Sequence, residues 1–512
     1  MPRARARTGV DSCATTVAAA RARAAASGRR IVTRTSRPRL TLLRERPPTQ
    51  ALSRLSGGKA LEDVPVNERS TWKTAARRDE RGFYRWRADG GEVRIFTTPA
   101  LFAEMEESLG AQMQNARRFP GVLDVAVTPD AHQGYGVPVG CVIATTGTLA
   151  MGPVGYDIGC GIAALRSDVP RDAATPEKVR DFSRRVMARV GLGPGSKGER
   201  VTKERFQEII RGGAEALGAR RGRAERDRIP VDDDWDVPRS SRAWRGQDQL
   251  GSLGGGNHFI ELQHDTERLW VMFHTGSRGF GHGLATDFFE KAREEQGLSR
   301  GQMDLGYFAP RSRHWRDYRN AVAAGGNYAI VNRLLIGRAV GAAFEETFGS
   351  PAELVYEISH NLVQEETHPD LFDHPVWVHR KGATRALPAG HPMLAGTRWA
   401  ETGHPVLIPG SMGDASYVLR PRPGAARSLY SVNHGAGRRK SRAAARREIS
   451  QAEADRQMRE RGVMVNAGGR VPVDESPGCY KPADEVIKAV IEAGLAEVEV
   501  RLLPIASIKG ND

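Results

Sequence analysis

The side chains best suited to chemistry lie in a handful of short turns. Asp157 and Cys160 share the turn GYDIGCG (155–161), clamped between Gly155, Gly159 and Gly161. A carboxylate and a thiol on one tight turn can share a divalent ion, and a thiolate can bridge two. Taken alone, the pair would equally suit a small buried thiol beside a turn carboxylate. His258 follows three glycines and Asn257, with Glu261 three residues on, while His274 and His360 close the apolar runs LWVMF and LVYEIS. Thirteen histidines in 512 residues are no enrichment, and a single histidine at a strand end is ordinarily a satisfied polar residue. Three such histidines joined to Asp-x-x-Cys make five candidate ligands from four segments, enough for a two-metal site.

His434 stands in NHGAGR (433–438), directly before a helix expected over 440–462 whose approach carries Arg438, Arg439, Lys440 and Arg442. An imidazole facing a helix start lined with cations is placed to meet an anionic phosphorus centre as acid, base or nucleophile. A capping loop with solvated basic residues is the alternative. The chain has no G-x-x-x-x-G-K-[ST] and no K-x-D-G, so its phosphate loops are not of the Walker type, and a nucleotidyl transferase here would not use lysine as nucleophile.

These residues need a scaffold, and nearly all of them fall where a strand candidate ends and a turn begins. The turns are DAHQGYG (130–136), GYDIGCG, GSLGGGNHFIE (251–261), HTGSRGFGH (274–282), SHN (359–361), PGSMGDAS (409–416) and NHGAGR. Glycines beside reactive side chains let backbone N–H groups approach a phosphate closely. Apolar runs predict strands at 122–127, 140–145, 269–274, 354–359, 376–379, 405–408 and 498–505. Apolar spacing predicts helices from Thr175-Pro176-Glu177 to about 190, and over 203–217, 283–296, 315–348, 440–462 and 483–495. The charged stretch 218–250 reads as a long excursion. Helices and strands mix without βαβ alternation or internal repeat, so the class is α+β: a large mixed domain with a β-sheet core and surrounding helices.

The net charge is +15, which suggests a polyanionic partner such as nucleic acid. Residues 1–50 hold 12 arginines and two acids, a local +10, so the body is only mildly basic. Residues 1–65 are expected to form a basic, unstructured extension, with the catalytic domain over 66–512. Arginine outnumbers lysine 65 to 11 along the chain, so the tail reflects a general bias more than a targeting signal. Four scattered cysteines fit no disulfide framework and favour a reducing, cytoplasmic setting. The least charged stretch, 131–156, is interrupted by glycine and proline, so no membrane span is expected.

The ordered set DAHQGYGVPVG, GYDIGCGI, GGGNHFIEL, HTGSRGFGH, SHN, VHRKGATRA, IPGSMGDASYVL, NHGAGRRKSRAAA, PGCYK and PIASIKG resembles the RtcB family of RNA ligases over roughly residues 90 to 512. The resemblance implies GTP- and Mn²⁺-dependent joining of RNA 2′,3′-cyclic phosphate or 3′-phosphate ends to 5′-hydroxyl ends. It makes His434 the nucleophile that carries GMP, and Asp157, Cys160, His258, His274 and His360 the ligands of two Mn²⁺ ions. A GTP pocket would comprise Asn257, His258, Phe259, Ile260, Glu261, His360, Asn361, Pro409, Gly410, Ser411, Met412, Ser416, His434, Gly435, Ala436, Gly437, Tyr480 and Lys509. Arg278, Arg438 and Arg442 match positions expected near the RNA backbone or its terminal phosphate. The implied partners are broken or spliced RNA ends such as tRNA halves and, as in some members, an activator protein; a monomer is the expected state.

Two points depart from that picture. One thiolate with three imidazoles favours zinc or cobalt over manganese, so zinc is expected to bind more tightly and to inhibit. Asp414 stands where the family commonly has a neutral threonine, and a carboxylate near a triphosphate repels it unless it points away or orients a partner. Two rival functions keep the metal site, a metal-dependent phosphodiesterase and a 3′-end guanylyltransferase with little ligation. A third is a non-catalytic RNA-binding protein using the basic tail and loops.

Overall fold

The run Leu269–His274 shows no polar alternation because the strand containing it, Arg268–Thr275, is covered on both faces. In the computed structural model, which describes residues 71–218 and 228–510, Ile162, Ala164, Trp270 and Met272 point into one cluster with Phe259, Tyr356, Ile358 and Leu407. Their neighbours Ala163, Leu165, Val271 and Phe273 point the other way, against Val179, Phe182 and Val186 of the helix Pro176–Arg189 and Ile336, Val340 and Phe344 of the helix Trp315–Phe348. Each such large apolar side chain contributes about 1.5–3 kcal/mol on burial.

This sheet runs in the order Ala352–Ser359, Gly161–Pro170, Arg268–Thr275, Phe259–His264, Ala496–Ile508, Ser416–Pro421, Val406–Ile408. Its pairings are antiparallel except for the two-residue strand Met464–Val465, which joins Ala496–Ile508 in parallel. A second sheet runs Arg77–Arg78, Tyr84–Ala88, Gly91–Ile95, Val122–His132, Val139–Thr145, Val376–Lys381, Asn361–Glu366. The chain passes from one sheet to the other at a single residue, His360, between strands ending at Ser359 and starting at Asn361. The described residues form one compact unit, and the α+β expectation holds. The expected basic extension, 1–65, lies outside the described residues. No helix among the described residues is long and apolar enough to cross a membrane.

All seven expected strands are present, most of them longer than the apolar runs that announced them. The helices differ in two instructive places. The single helix expected over 440–462 is two, Arg442–Glu448 and Gln451–Glu460, because Ile449 and Ser450 are extended and the Ser450 hydroxyl accepts from the Glu453 N–H. A serine in mid-run offered a second cap. The helix expected from 283 begins at Arg278, within a segment that reads as a turn. Its glycines serve packing instead: a Cβ on Gly283 would lie 2.4 Å from the Ala243 amide nitrogen, in the 3₁₀ turn Arg242–Gly246. That turn is the one helical piece in the described part of 218–250 beyond Gly218, in keeping with an excursion. The helix Lys203–Gly212 tightens to a 3₁₀ turn, Gly213–Leu217, at its end.

Candidate active site

Strand register brings the proposed ligands together. Gly161 is paired with both Thr275 and Ser359, Ile162 with His274, and His274 with Phe259. Cys160, His258, His274 and His360 therefore meet at one end of one sheet. Cys160 Sγ lies 3.0 Å from His274 Nε2 and 3.4 Å from His258 Nε2. His274 Nε2 is 3.1 Å from His360 Nε2, and His258 Nε2 is 3.1 Å from Asp157 Oδ2. All five residues the sequence put forward as ligands are thus in one cluster.

Neighbouring groups orient these side chains. His258 Nδ1 faces the Leu253 carbonyl at 2.9 Å and His274 Nδ1 the Asn257 carbonyl at 3.2 Å, so each ring donates outward and turns Nε2 into the cluster. Asp157 Oδ1 accepts from the Ser277 amide at 3.0 Å. Behind the cluster, Arg333 of the long helix donates to the Gly159 carbonyl at 2.7 Å and to Ser359 Oγ at 2.9 Å, and pairs with Glu357. Asn332 beside it accepts from the Gly251 amide and donates to the carbonyls of Ser252 and Gly276. Neither residue stood out in the sequence, where both lie inside an amphipathic helix.

The electrostatics suit a cation. Burial, then repulsion from neighbouring imidazoles, holds His274 and His360 well below the usual histidine range, so both rings are neutral and able to ligate. Burial and then the Asp157 charge push the Cys160 thiol up, so a metal must displace its proton. Burial raises the Asp157 pKa, but the His258 contacts outweigh it and hold the carboxyl well below its usual range. Ligand atoms of Cys160, His258 and His274 lie within 4.8 Å of one another. His360 Nδ1 is buried without a hydrogen-bond partner, a cost that only a ligand reaching that nitrogen would offset. The donor set fits a divalent transition metal.

His434 stands beside this cluster, its ring centroid 4.8 Å from that of His360. It follows the strand Ser431–Asn433, which pairs with Ala383–Arg385. Its Nδ1 lies 2.6 Å from Asp130 Oδ2, and its amide donates to the same oxygen at 3.2 Å. Asp130 is fully buried and also accepts from the Thr128 hydroxyl at 2.6 Å. Burial raises its pKa, yet the His434 and Thr128 contacts bring it below the ordinary value. An ionised carboxylate only accepts, so it fixes the proton on Nδ1 and leaves Nε2 with a free lone pair. Sequence reasoning quoted the turn DAHQGYG but did not single out Asp130; its place in that turn was the available signal.

A cavity of about 430 Å³ opens beside His434, within the range of small-molecule pockets. Of the expected GTP residues, Asn257, Phe259, Glu261, Pro409, Gly410, Ser411, Met412, Gly435, Ala436, Gly437, Tyr480 and Lys509 line it, joined by His132, Arg438 and Arg442. Ile260 packs into the core. Ser416 instead shapes the wall, accepting from the Gly410 amide and from Gln263. Asn361 accepts from the Gly382 amide. Arg278 is buried and donates to Ser252 Oγ and to the carbonyls of Gly193 and Pro194, on the ligand side of the site. Asp414 accepts from Ser411 Oγ at 2.6 Å and borders a separate cavity with Arg439 and Arg461, so it orients a side chain of the cavity wall.

Glu475 is a further residue the sequence did not reveal. It draws together Lys509 at 3.1 Å, Arg438 at 3.1 Å, Arg442 at 3.4 Å and the Tyr480 hydroxyl at 2.5 Å. Burial raises its pKa, but these cations hold it down at about 2. It keeps a cationic wall assembled on one side of the cavity.

Comparison with known proteins agrees with this geometry. A family model described as tRNA-splicing ligase RtcB matches residues 112–510. The chain is 36% identical over 456 residues to the tRNA-splicing ligase RtcB of Thermococcus kodakarensis, covering 81% of this chain and 94% of that protein. It is also 36% identical over 435 residues to the RNA-splicing ligase RtcB of Mycobacterium tuberculosis, covering 78% and 100% respectively. With a match of that extent spanning the thiolate–imidazole cluster and the carboxylate-held histidine, the chain belongs to the RtcB family of RNA ligases.

Proposed function

We propose that this chain seals RNA, joining a 2′,3′-cyclic phosphate or 3′-phosphate end to a 5′-hydroxyl end at the expense of GTP, with two Mn²⁺ ions held by Asp157, Cys160, His258, His274 and His360. The observation that carries the reading is His434: its Nδ1 is fixed by Asp130, and it stands between the ligand cluster and a cation-walled cavity. When bound, the divalent ions supply charge neutralisation at the triphosphate and at the RNA phosphate.

His434 Nε2 attacks the α-phosphorus; a P–N bond forms, the α–β P–O bond breaks and pyrophosphate leaves. Asp130 holds the Nδ1 proton throughout and balances the positive charge that develops on the ring. An oxygen of the RNA 3′-phosphate then attacks the same phosphorus and the P–N electron pair returns to Nε2, leaving guanosine joined to the RNA through a 3′,5′-diphosphate. The 5′-hydroxyl oxygen attacks the RNA phosphorus, the bridging P–O bond of the diphosphate breaks, and GMP departs with the hydroxyl's proton on its phosphate. Lys509, Arg438 and Arg442 face the phosphates through these steps, and a cyclic end is first hydrolysed to the 3′-phosphate. Split tRNA halves are one substrate of this kind.

Incubation with α-³²P-GTP and Mn²⁺ is expected to leave an acid-labile, base-stable label on the denatured protein, and addition of the two RNA ends to convert it to sealed product and GMP. Label without sealing would indicate the guanylyltransferase reading, and RNA hydrolysis without label the phosphodiesterase. Zinc is expected to displace Mn²⁺ and stop labelling, because divalent affinity of N/S donors rises along the first-row series; full labelling in zinc alone would contradict this.

Glu261 gives a test of base selection. Its carboxylate is an acceptor that complements the two N–H donors on guanine's N1–N2 edge, for which adenine has no equivalent. Burial raises its pKa to about 7, against the pull of Gln263 and Lys509. GTP affinity is therefore expected to fall as pH drops below about 7, where the carboxyl gains a proton. Glu261→Gln should flatten that dependence and narrow the preference for GTP over ATP by about 1–3 kcal/mol, the worth of a bidentate base contact. Competition binding across pH measures both.

A further inference from the structure

Arginine outnumbers lysine 65 to 11 in this chain, yet three lysines are buried among the described residues, Lys381, Lys481 and Lys509. Lys509 faces the cavity. The other two have no part in the chemistry above, and both aim their ammonium groups at backbone carbonyls of one segment, residues 129–137. Lys481 Nζ lies 2.6 Å from the Ala131 carbonyl and 3.3 Å from that of Pro129, and Lys381 Nζ lies 2.7 Å from the Tyr135 carbonyl and 3.3 Å from that of Val137. A buried ammonium is costly unless its donors are answered, so these contacts demand an account.

Lys481 is distinguished by what its contacts bracket. Pro129 and Ala131 are the residues either side of Asp130. The Lys481 amide meanwhile donates to the Gly437 carbonyl at 2.9 Å, three residues beyond His434. Gly437 comes so close to Asp130 that a Cβ there would lie 2.1 Å from the Asp130 carbonyl oxygen, and its φ is +76°. One residue therefore ties the loop of the nucleophile to the strand end that carries the orienting carboxylate. An ammonium on a flexible stem reaches both carbonyls; a planar guanidinium is larger and fixed in its fork geometry.

We propose that Lys481 is a positioning residue for histidine guanylylation: by stapling residues 129–131 to Gly437 it holds the Asp130 carboxylate against Nδ1 of His434. The proposal rests on the guanylylation reading above. Its positive charge also faces Asp130, with Glu104, Glu106 and Arg439 as the other charged groups near it, so it favours the ionised carboxylate. Lys381 secures the far end of the same segment and does not flank Asp130.

The test is a double-mutant cycle on the single-turnover rate of GMP transfer to the protein, using wild type, Lys481→Met, Asp130→Ala and the double variant. Lys481→Met is expected to lower the rate by ~10²-fold, the usual cost of a small misplacement at a reacting centre. In the Asp130→Ala background it should change the rate by no more than about twofold. Losses that add in the double variant, or equal losses in Lys381→Met, would mean that the lysine only supports the segment at large, and would overturn the proposal. An unchanged rate in Lys481→Met would do the same. If Lys481→Met loses its cooperative melting transition, the cycle is run with Lys481→Gln, whose amide can still donate to one carbonyl, and additivity there is equally decisive. Absence of label on the wild type would instead overturn the guanylylation reading itself.

Discussion

Asp130→Ala is expected to slow guanylylation of the protein by ~10⁴-fold while leaving divalent-metal binding close to wild type. Removing the carboxylate that orients a catalytic imidazole has that order of cost, since the ring loses both its correct tautomer and the charge that balances its developing cation. Here the carboxylate receives two donors from one residue, the Nδ1 and the amide of His434, so its loss frees ring and backbone together. His434→Ala should abolish labelling outright, as no other buried imidazole in the cluster is held by a carboxylate at Nδ1. A quantitative time course of ³²P incorporation distinguishes the slow variant from the dead one. Retention of more than a tenth of the wild-type rate in Asp130→Ala would remove Asp130 from the mechanism.

The second large effect is on stability and comes from a residue that touches no substrate. Arg333 and Glu357 are both about 1% exposed, and Arg333→Met is expected to destabilise the protein by about 3–5 kcal/mol, the cost of leaving one member of a buried ion pair behind. The guanidinium also holds the Gly159 carbonyl and Ser359 Oγ, which directly precede Cys160 and His360. Metal affinity should therefore fall in the same variant, and replacing Glu357 as well, in Arg333→Met/Glu357→Leu, should recover stability without recovering metal binding. Denaturant titration in the presence of a chelator isolates the first effect, and equilibrium metal titration reads the second.

The sequence announced the ligands more clearly than the frame that holds them. Asp157, Cys160, His258, His274 and His360 were legible because glycines and strand ends mark places where a polar side chain can face a cavity. Asp130 and Glu475 were not, because a lone carboxylate in a turn is common and its meaning lies in what it meets across the fold. Arg333 and Lys481 were harder still, each being a charge that answers backbone carbonyls distant in the chain, Arg333 with Glu357 and Ser359 besides. The strands Gly161–Pro170 and Phe259–His264 escaped for a related reason: Ser167, Glu261 and Gln263 are buried in them, satisfied by bonds such as those of Gln263 to Glu261 and Ser416. The glycines at 279–283 read as a turn when their role is to let a helix approach Arg242–Gly246. In each case a local pattern gave way to a long-range contact.

The strand Ala496–Ile508 has a consequence for synthesis. It lies between Phe259–His264 and Ser416–Pro421, so it is the bridge across the sheet, and Lys509 of the cavity follows it directly. A nascent chain that has already released Cys160 and its three histidines from the ribosome still has two unpaired strand edges and an incomplete cavity. Those edges are sticky until the bridge arrives. Ribosome stalling or truncation shortly before Ala496 should thus yield an aggregating polypeptide whose cavity lacks its Lys509 wall, and the long-range pairing makes this closure a slow step of folding. Quality control of the protein is built into the order of translation: the cavity can be completed only by residues made after all the candidate metal ligands and after both strands that Ala496–Ile508 joins.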